Sequence, residues 1–353
     1  MREALAEWRP VIDETIEELL PREIDDDYLS DYFGAAAYRY DPEAVQRALA
    51  DPIWDLLDRG GKRWRAVLLL VLVDGFGEAP RDYLQYACIP EILHNGTIIV
   101  DDVEDGATMR RGEPALHHEY GVDVALNAGN AMYFLPLKLI TRDPAGLDPE
   151  TRLAAYEMLM HELNRTHLGQ GMDIRWHNAR EVGIDEDEYL EMCACKTGAL
   201  GRIVARLAAI ITDNREDEVA VARFAEELCV AFQIADDILD VEHAMEAGGD
   251  FGKGVGNDIR EGKKTLMVIH AVNNAARADA ERLTDILWAE DNTDAEVREA
   301  IDILQATGSV GYARDQAEGL AVAARDHLDD ADLDPEVASQ LAEFTRFVVE
   351  RET

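Results

Sequence analysis

Residues 98–105 read I-I-V-D-D-V-E-D, an apolar run that ends abruptly in carboxylates. Asp101 and Asp105 are four residues apart, so on a helix their side chains project from the same face, one turn above each other. Like charges at this spacing repel and destabilise a helix by about a few tenths of a kcal/mol. A hard divalent cation such as Mg²⁺, which prefers carboxylate oxygens, would remove this repulsion. The stretch therefore indicates a metal site at the end of an apolar helix.

The composition of the chain offers a simpler alternative. Its 353 residues include 73 Asp and Glu against 34 Lys and Arg, a net charge of −39. In so acidic a chain, an acidic cluster is often no more than solvated surface. The charge argues against nucleic acid as a partner. It resembles the surface of a protein from a halophilic archaeon, in whose salty cytoplasm this repulsion is screened.

A second copy of the acidic motif decides between these interpretations. Residues 232–240 read F-Q-I-A-D-D-I-L-D, and Asp236, Asp237 and Asp240 repeat the spacing of the first motif. Both copies lie at the end of an apolar segment. Solvated surface gives no reason for this repetition, so the pair of motifs favours metal binding.

Helical periodicity covers most of the chain. Apolar residues recur at helical spacing and no strand pattern of period two persists. The predicted helices include residues 64–76, 90–108, 151–170, 187–211, 218–242 and 265–276, with breaks where Gly, Pro, Asp and Asn cluster. We predict an all-α fold with a single domain over residues 1–353, in which residues 1–31 form a peripheral acidic extension.

The cysteines and the hydropathy pattern bear on the environment of the protein. The four cysteines match no zinc-binding or C-x-x-C spacing, and no stretch resembles a signal peptide or a membrane span. We therefore expect a cytoplasmic protein with reduced thiols that is not an integral membrane protein.

Lysine is rare, and its distribution points to phosphate. Five of the six lysines lie in glycine-containing stretches, where the backbone can approach a ligand closely and a compact positive charge suits phosphate. These five are Lys62, Lys196, Lys253, Lys263 and Lys264, whereas Lys138 receives no role. Arg110 and Arg111 follow the first acidic motif and have the fork geometry that binds phosphate. The alternative is that these arginines only neutralise nearby carboxylates.

Together these motifs resemble the trans-polyprenyl diphosphate synthases, a family that includes farnesyl and geranylgeranyl diphosphate synthases. The resemblance runs from about Asp58 to Thr265 through seven motifs in order. They are G-G-K-R-W-R, H-N-G-T-I-I-V-D-D-V-E-D, R-R-G-E-P, G-Q-G-M-D, K-T-G-A-L, F-Q-I-A-D-D-I-L-D and G-N-D-I-R-E-G-K-K-T. The resemblance implies the type I isoprenoid synthase fold, a bundle of ten or more helices around a central apolar cavity, and a homodimer.

The resemblance also implies a role for each matching residue. The head group of isopentenyl diphosphate is assigned to Lys62, Arg65, His94 and Arg111. The allylic diphosphate is assigned to Arg110, Lys196, Thr197, Gln233, Lys253 and Lys263. Mg²⁺ is assigned to Asp101, Asp105 and Asp236, with Asp102, Asp237 and Asp240 in support, and Gln170 and Asp173 match a further acidic face. Catalysis would depend chiefly on Asp101, Asp105, Asp236, Lys196 and Arg110.

The implied activity is that of a Mg²⁺-dependent prenyltransferase, which condenses isopentenyl diphosphate head-to-tail with an allylic diphosphate for isoprenoid lipid synthesis. The chemistry suits the residues, because the leaving diphosphate carries concentrated negative charge that metal and Lys or Arg stabilise. A class I terpene cyclase needs no second diphosphate pocket, so Lys62, Arg65 and Arg111 speak against it. A non-catalytic partner subunit on the same fold usually lacks one acidic motif, and here both are intact.

The residues just before the first acidic motif are expected to set product length. Gly96 and Thr97 lie five and four residues before Asp101, where the resemblance places the descending prenyl chain. Both are small, which predicts geranylgeranyl diphosphate or a longer product, and Leu93 is a candidate floor for the pocket.

Overall fold

The computed structural model describes residues 2–143, 145–179, 183–246, 256–289 and 292–349. The predicted phosphate-binding Lys253 lies outside the described residues. By their internal contacts, the described residues form two compact units. The first takes its residues from Met1–Met158 and Leu207–Arg215, and the second from Leu159–Arg206 and Glu216–Thr353.

The first unit contains nine complete helices within its described residues, together with one short hairpin. The helices are α1 (Arg2–Leu19), α2 (Asp26–Phe33), α3 (Pro42–Val45), α4 (Asp51–Asp58), α5 (Trp64–Gly75), α6 (Leu84–Glu104), α7 (Leu116–Glu119), α8 (Val122–Phe134) and α9 (Leu137–Arg142). The strands β1 (Met109–Arg110) and β2 (Glu113–Pro114) pair antiparallel. A π-helical turn (Gln46–Ala50) precedes α4, and a 3₁₀ turn (Pro80–Tyr83) precedes α6.

Two further helices contribute residues to both units, namely α10 (Pro149–Ala179) and α12 (Ala199–Ile211). The other helices belong to the second unit. They are α11 (Glu186–Cys193), α13 (Glu218–Glu246), α14 (Asn257–Arg260), α15 (Leu266–Asn274), α16 (Arg277–Leu287), α17 (Asp294–Ala306), α18 (Ser309–Leu328) and α19 (Pro335–Val349). The prediction of an all-α fold is confirmed.

Helix α6 carries the first acidic motif and packs against α1, α5 and α8. It begins at Leu84, six residues before the predicted start at Pro90. A proline inside a helix removes one backbone hydrogen bond, but Pro90 and its neighbours Tyr86 and Ile89 are buried, and this burial outweighs the loss. The helix ends at Glu104, earlier than predicted, and Gly106 then adopts a left-handed conformation with φ 64°.

The N-terminal helix is part of the core of the first unit. Helix α1 packs against α5 and α6, and Ile12 and Ile16, four residues apart on one face, are at most 1% exposed. Leu29 of α2 is also buried. Residues 1–31 were expected to form a peripheral acidic extension, and their described part contributes Ile12, Ile16 and Leu29 to the core while most of its carboxylates are exposed.

In the second unit, α13 carries the second acidic motif and packs against α18 and α19. The predicted helix over residues 187–211 is interrupted by a π-helical turn, Ala194–Gly198, which contains Lys196 and Thr197. This turn lies very close to α10, since a Cβ atom added at Gly169 would stand 2.3 Å from the amide nitrogen of Lys196. Such turns often mark functional positions.

A bilayer-spanning segment would need a long and almost uncharged helix. Throughout the described ranges, no helix meets both conditions.

Candidate active site

The first acidic motif occupies the last turn of α6, where the helix dipole makes negative charge unfavourable. The exposed carbonyl groups at a helix C-terminus carry partial negative charge and favour cations. Helix α6 has no basic residue in its last turn and places Asp101 and Asp102 there, followed by Asp105 at its cap. This arrangement is unfavourable for the helix alone, so a bound cation would stabilise it.

The first two aspartates of this motif have different surroundings. Asp101 is half-buried, whereas Asp102 is 3% exposed. The guanidinium Nε of Arg110 donates hydrogen bonds to both carboxylate oxygens of Asp102, at 2.8 and 3.1 Å, and its Nη2 contacts Oδ1 as well. Burial raises the pKa of Asp102, and these bonds offset part of that rise. Asp102 therefore holds Arg110 in place, and the contact of Arg110 with the allylic diphosphate stays a prediction.

A tight hairpin brings the two predicted phosphate-binding arginines to this end of α6. Arg110 pairs with Glu113 across the strands, which leaves Arg111 and Gly112 as a two-residue turn. Both turn residues have positive φ, at 54° and 83°, as a type I′ turn requires. The turn places Arg111 against the loop between α4 and α5.

Arg111 links that loop to α4 and α6 by three hydrogen bonds. Its Nη1 donates to the carbonyl oxygens of Leu56 and Gly60 at 3.0 and 2.6 Å, and its Nη2 donates to Oδ1 of Asn95 at 3.0 Å. Because a guanidinium has five N–H donors, two of them have no hydrogen-bond partner among the described residues. Lys62, in the same loop, is exposed. Arg111 can thus shape the loop and still bind phosphate.

His94 is a neutral imidazole among arginines. Burial lowers its pKa well below the usual value, and Arg65 and Arg111 lower it further. Within the described part of the chain, its Nδ1 atom has no hydrogen-bond partner. Arg65 is 5% exposed and lies over the ring of Trp64 at 4.5 Å. The first unit thus brings Arg65, His94 and Arg111 into one electrostatic group, as the sequence predicts for a diphosphate pocket.

The second acidic motif repeats the difference between its first two aspartates. Asp236 is exposed, whereas Asp237 is 7% exposed. Tyr189 donates its hydroxyl to Asp237 at 3.1 Å, and the Gln233 side-chain nitrogen donates to it at 2.9 Å. Thr197 in turn donates to Gln233 at 3.4 Å. Burial raises the pKa of Asp237, as does the charge of Asp258.

The third aspartate of this motif anchors a short helix. Asp240 accepts hydrogen bonds from the backbone nitrogens of Asn257 and Asp258, both at 3.2 Å. Lys263 contacts Asp258 and Glu261 at 3.0 Å each. Burial by itself would lower the pKa of Lys263, but these two carboxylates raise it. Lys263 is therefore held near Asp240 by two carboxylates, and its contact with phosphate stays a prediction.

Lys196 and Asp173 form an ion pair at 2.7 Å. Both belong to the predicted site, so the structure joins the K-T-G motif to the G-Q-G-M-D motif within the second unit. The pairing places a cation and a carboxylate beside the hydrogen bonds that link Thr197, Gln233 and Asp237.

Among the predicted chain-length residues, Gly96 has a packing role. A Cβ atom there would stand 2.8 Å from Cβ of Met132 and 3.0 Å from the carbonyl oxygen of Gly129, so glycine allows α6 and α8 to approach closely. Thr97 is half-buried and donates its hydroxyl to the carbonyl of His94 at 2.7 Å. Leu93 is fully buried. The role of Gly96, Thr97 and Leu93 in setting product length stays a prediction.

The donor chemistry of the acidic motifs fits Mg²⁺. Each motif offers hard carboxylate oxygens, and throughout the described ranges no three His, Cys, Asp or Glu side chains converge on one point. Mg²⁺ is commonly bound by one or two carboxylates, with waters and substrate phosphates completing its shell. Asp101 with Asp105, and Asp236, can supply such ligands.

Comparison with known proteins decides the family. The model of the polyprenyl synthetase family matches residues 46–304, which include both acidic motifs and the lysines and arginines predicted to bind phosphate. The chain belongs to the polyprenyl synthetase family. A short chain isoprenyl diphosphate synthase of Methanothermobacter thermautotrophicus is 33% identical over 312 residues, covering 88% of this chain and 91% of that protein. A geranylfarnesyl diphosphate synthase of Natronomonas pharaonis is 29% identical, covering 99% and 97%.

Solved structures of polyprenyl synthetases share the fold. A geranylgeranyl pyrophosphate synthetase from Pyrococcus horikoshii superposes with a TM-score of 0.84 and 30% identity, covering 99% of each chain. The predicted type I isoprenoid synthase fold is confirmed. The chain is a prenyltransferase of the prenyl diphosphate synthase type, as the sequence predicts.

Several residues of the site were not predicted. Tyr189 and Asp258 surround the second acidic motif, and Glu91 and Asn95 line the basic cluster of the first unit. Tyr189 is 48 residues from Asp237, and no local pattern connects them. Asn95 directly follows His94, which was predicted to bind a diphosphate, so its position in the sequence could have indicated a role in the site.

Proposed function

We propose that this prenyltransferase is a Mg²⁺-dependent synthase that condenses isopentenyl diphosphate head-to-tail with an allylic diphosphate. The main support is that the first two aspartates differ in exposure in the same way in both acidic motifs. In each, the first aspartate remains accessible, while the second is buried and held by Arg110 in one motif and by Tyr189 and Gln233 in the other. Two separately fixed acidic motifs suit a substrate whose diphosphate must be held and then expelled.

The first unit supplies the pocket proposed for isopentenyl diphosphate. Lys62 and the two unengaged N–H groups of Arg111 can donate to phosphate oxygens, and Arg65 adds a third positive charge. His94 is neutral, so it can donate a hydrogen bond without adding charge. The pocket fixes the position of the nucleophilic double bond through the diphosphate of its substrate.

The allylic diphosphate is proposed to contact Lys196, Thr197, Gln233 and Lys263. In the reaction its C–O bond breaks and the electron pair leaves with the diphosphate. Asp101, Asp105 and Asp236 would hold Mg²⁺, whose positive charge would help to stabilise the leaving diphosphate. The double bond of isopentenyl diphosphate then forms the new C–C bond, and the proton it loses passes to the departing diphosphate. Lys196 and Lys263 stabilise the same negative charge from fixed positions, because Asp173 and Asp258 hold them.

The proposed product is geranylgeranyl diphosphate or a longer homologue, for isoprenoid lipid synthesis. Support comes from the small Thr97 one turn before Asp101, and from similar proteins named geranylgeranyl and geranylfarnesyl synthases. The single family match across both units supports one polyprenyl synthase domain. The homodimer and the cytoplasmic location stay predictions.

A matched pair of variants tests this function. Asp101→Asn should abolish elongation of farnesyl diphosphate with isopentenyl diphosphate and Mg²⁺ at high salt. Glu104→Gln, an equal change of charge at an exposed neighbour, should retain it. Near-normal turnover of Asp101→Asn would contradict the metal role, and wild-type binding without turnover would indicate a partner subunit.

A further inference from the structure

The loop that carries Lys62 has an unusual backbone. Gly60, Gly61 and Arg63 all have positive φ, at 99°, 134° and 53°. Glycine adopts such angles readily, but a residue with a side chain in the left-handed region is strained. Arg63 is also the N-cap residue directly before α5, and its side chain makes no capping hydrogen bond. The conformation of this loop therefore depends on contacts that hold Arg63.

The guanidinium of Arg63 is buried and held from several sides. Its side chain is 4% exposed. Its Nη2 donates to the carbonyl of Leu57 at 3.0 Å, and its Nε donates to Oδ1 of Asp13 at 2.7 Å. Glu91 lies 3.7 Å from its Nη1, beyond hydrogen-bond distance. Asp13 thus makes the short, charge-assisted contact with this buried cation.

Asp13 belongs to α1, which precedes the residues matched by the family model. The N-terminal helix therefore contacts the loop that carries Lys62 through the carboxylate of Asp13. Arg63 is adjacent to Lys62, and a Cβ atom at Gly61 would stand 2.7 Å from Nη1 of Arg63. Because the loop packs this tightly against the guanidinium, movement of Arg63 would move Lys62 as well.

Resting on the proposed function, we propose that Asp13 is a positioning residue for the isopentenyl diphosphate pocket. Its carboxylate fixes Arg63, and Arg63 fixes the strained loop that presents Lys62. The N-terminal helix of this chain is therefore required for the affinity of one of the two substrates.

The site permits clean substitution. Asp13 is 40% exposed and borders an open groove of about 1010 Å³ between α1 and α4. Because this side chain is partly exposed, Asn or Glu can be introduced there without filling a buried position. Glu14, the next residue of α1, is exposed and borders the same groove. Glu14→Gln is therefore a matched control, because it removes the same charge as Asp13→Asn.

The test is steady-state kinetics with each substrate varied in turn. Asp13→Asn should raise the KM for isopentenyl diphosphate about tenfold, as expected when a charge-assisted hydrogen bond is lost. The KM for farnesyl diphosphate and kcat should stay within about twofold, since the strained loop carries none of the residues proposed to contact the allylic diphosphate. Asp13→Glu should restore most of the affinity, and Glu14→Gln should behave as wild type.

Two outcomes would overturn the inference. One is an Asp13→Asn variant that matches Glu14→Gln. The other is a variant in which kcat and the thermal midpoint fall while both KM values rise, because that pattern indicates general destabilisation. Calorimetric titration with isopentenyl diphosphate separates the two proposals. If the wild type binds it but elongates nothing, the proposed function fails, while a tenfold weaker affinity in Asp13→Asn still supports the positioning role and an equal affinity refutes it.

Discussion

Replacing Gly96 with alanine should destabilise the protein, although alanine normally favours a helix. Within a helix this change gains about 1 kcal/mol. At Gly96, however, the new methyl group would stand 2.8 Å from Cβ of Met132 and 3.0 Å from the carbonyl of Gly129. Neither atom is the end of a flexible side chain, so the overpacking cost falls near the upper end of its range, about 3 kcal/mol. The expected net loss is about 2 kcal/mol.

The assay is urea unfolding at fixed high salt, with Gly319→Ala as the control. Gly319 lies in α18, and a Cβ atom there would meet nothing within 4 Å. This control should therefore gain about 1 kcal/mol. The Gly96→Ala protein that remains folded should make a product of unchanged length, because its methyl group points at α8. Stability equal to that of the control would refute the close contact between α6 and α8.

Two further predictions concern product length and stability. Thr97→Phe should shorten the prenyl product because it fills the position one turn before the first acidic motif, and Thr97→Val should leave the product unchanged. The measurement is chromatography of the dephosphorylated products. Equal products from both variants would exclude Thr97 as a determinant of product length. Glu162→Gln should lower the free energy of unfolding by about 3 kcal/mol, since Glu162 is fully buried and contacts Arg202 and Arg206 at 2.9 and 2.7 Å. Burial acts to raise the pKa of Glu162, but the arginines outweigh it and the net pKa is lowered, so this stabilisation is present above pH of about 4.3 and is lost as the pH falls through the lowered pKa. Denaturation at pH 7 and in acid should show that the difference in the free energy of unfolding between wild type and Glu162→Gln shrinks as the pH falls. The control Glu157→Gln, at an exposed position, should have the stability of the wild type. A difference that is constant with pH would contradict the charge network.

The acidic ends of the helices were predictable because they are local. Spacing alone places Asp101 and Asp105 on one face, and the repeated motif removes the ambiguity of an acidic composition. The start of α6 was missed because a local rule about Pro90 was overridden by burial of the residues before it. The position of α1 was missed because average acidity concealed Ile12 and Ile16, although their spacing of four was visible in the sequence.

The contacts that hold the site could not be predicted in the same way. Asp13 and Arg63 are 50 residues apart, and Tyr189 has no sequence neighbour that connects it to Asp237. Gly96 was correctly noted as small, but its closeness to α8 depends on how two helices pack. Such pairings follow from tertiary structure, whereas spacing reveals only residues that share an element.

The central claim is that the chain elongates an allylic diphosphate by head-to-tail condensation. The most direct measurement is mass spectrometry of the product formed from farnesyl diphosphate, isopentenyl diphosphate and Mg²⁺ at high salt. We expect geranylgeranyl diphosphate or a longer prenyl diphosphate, with one pyrophosphate released for each isopentenyl unit consumed. A cyclic hydrocarbon, or both substrates recovered unchanged, would contradict it.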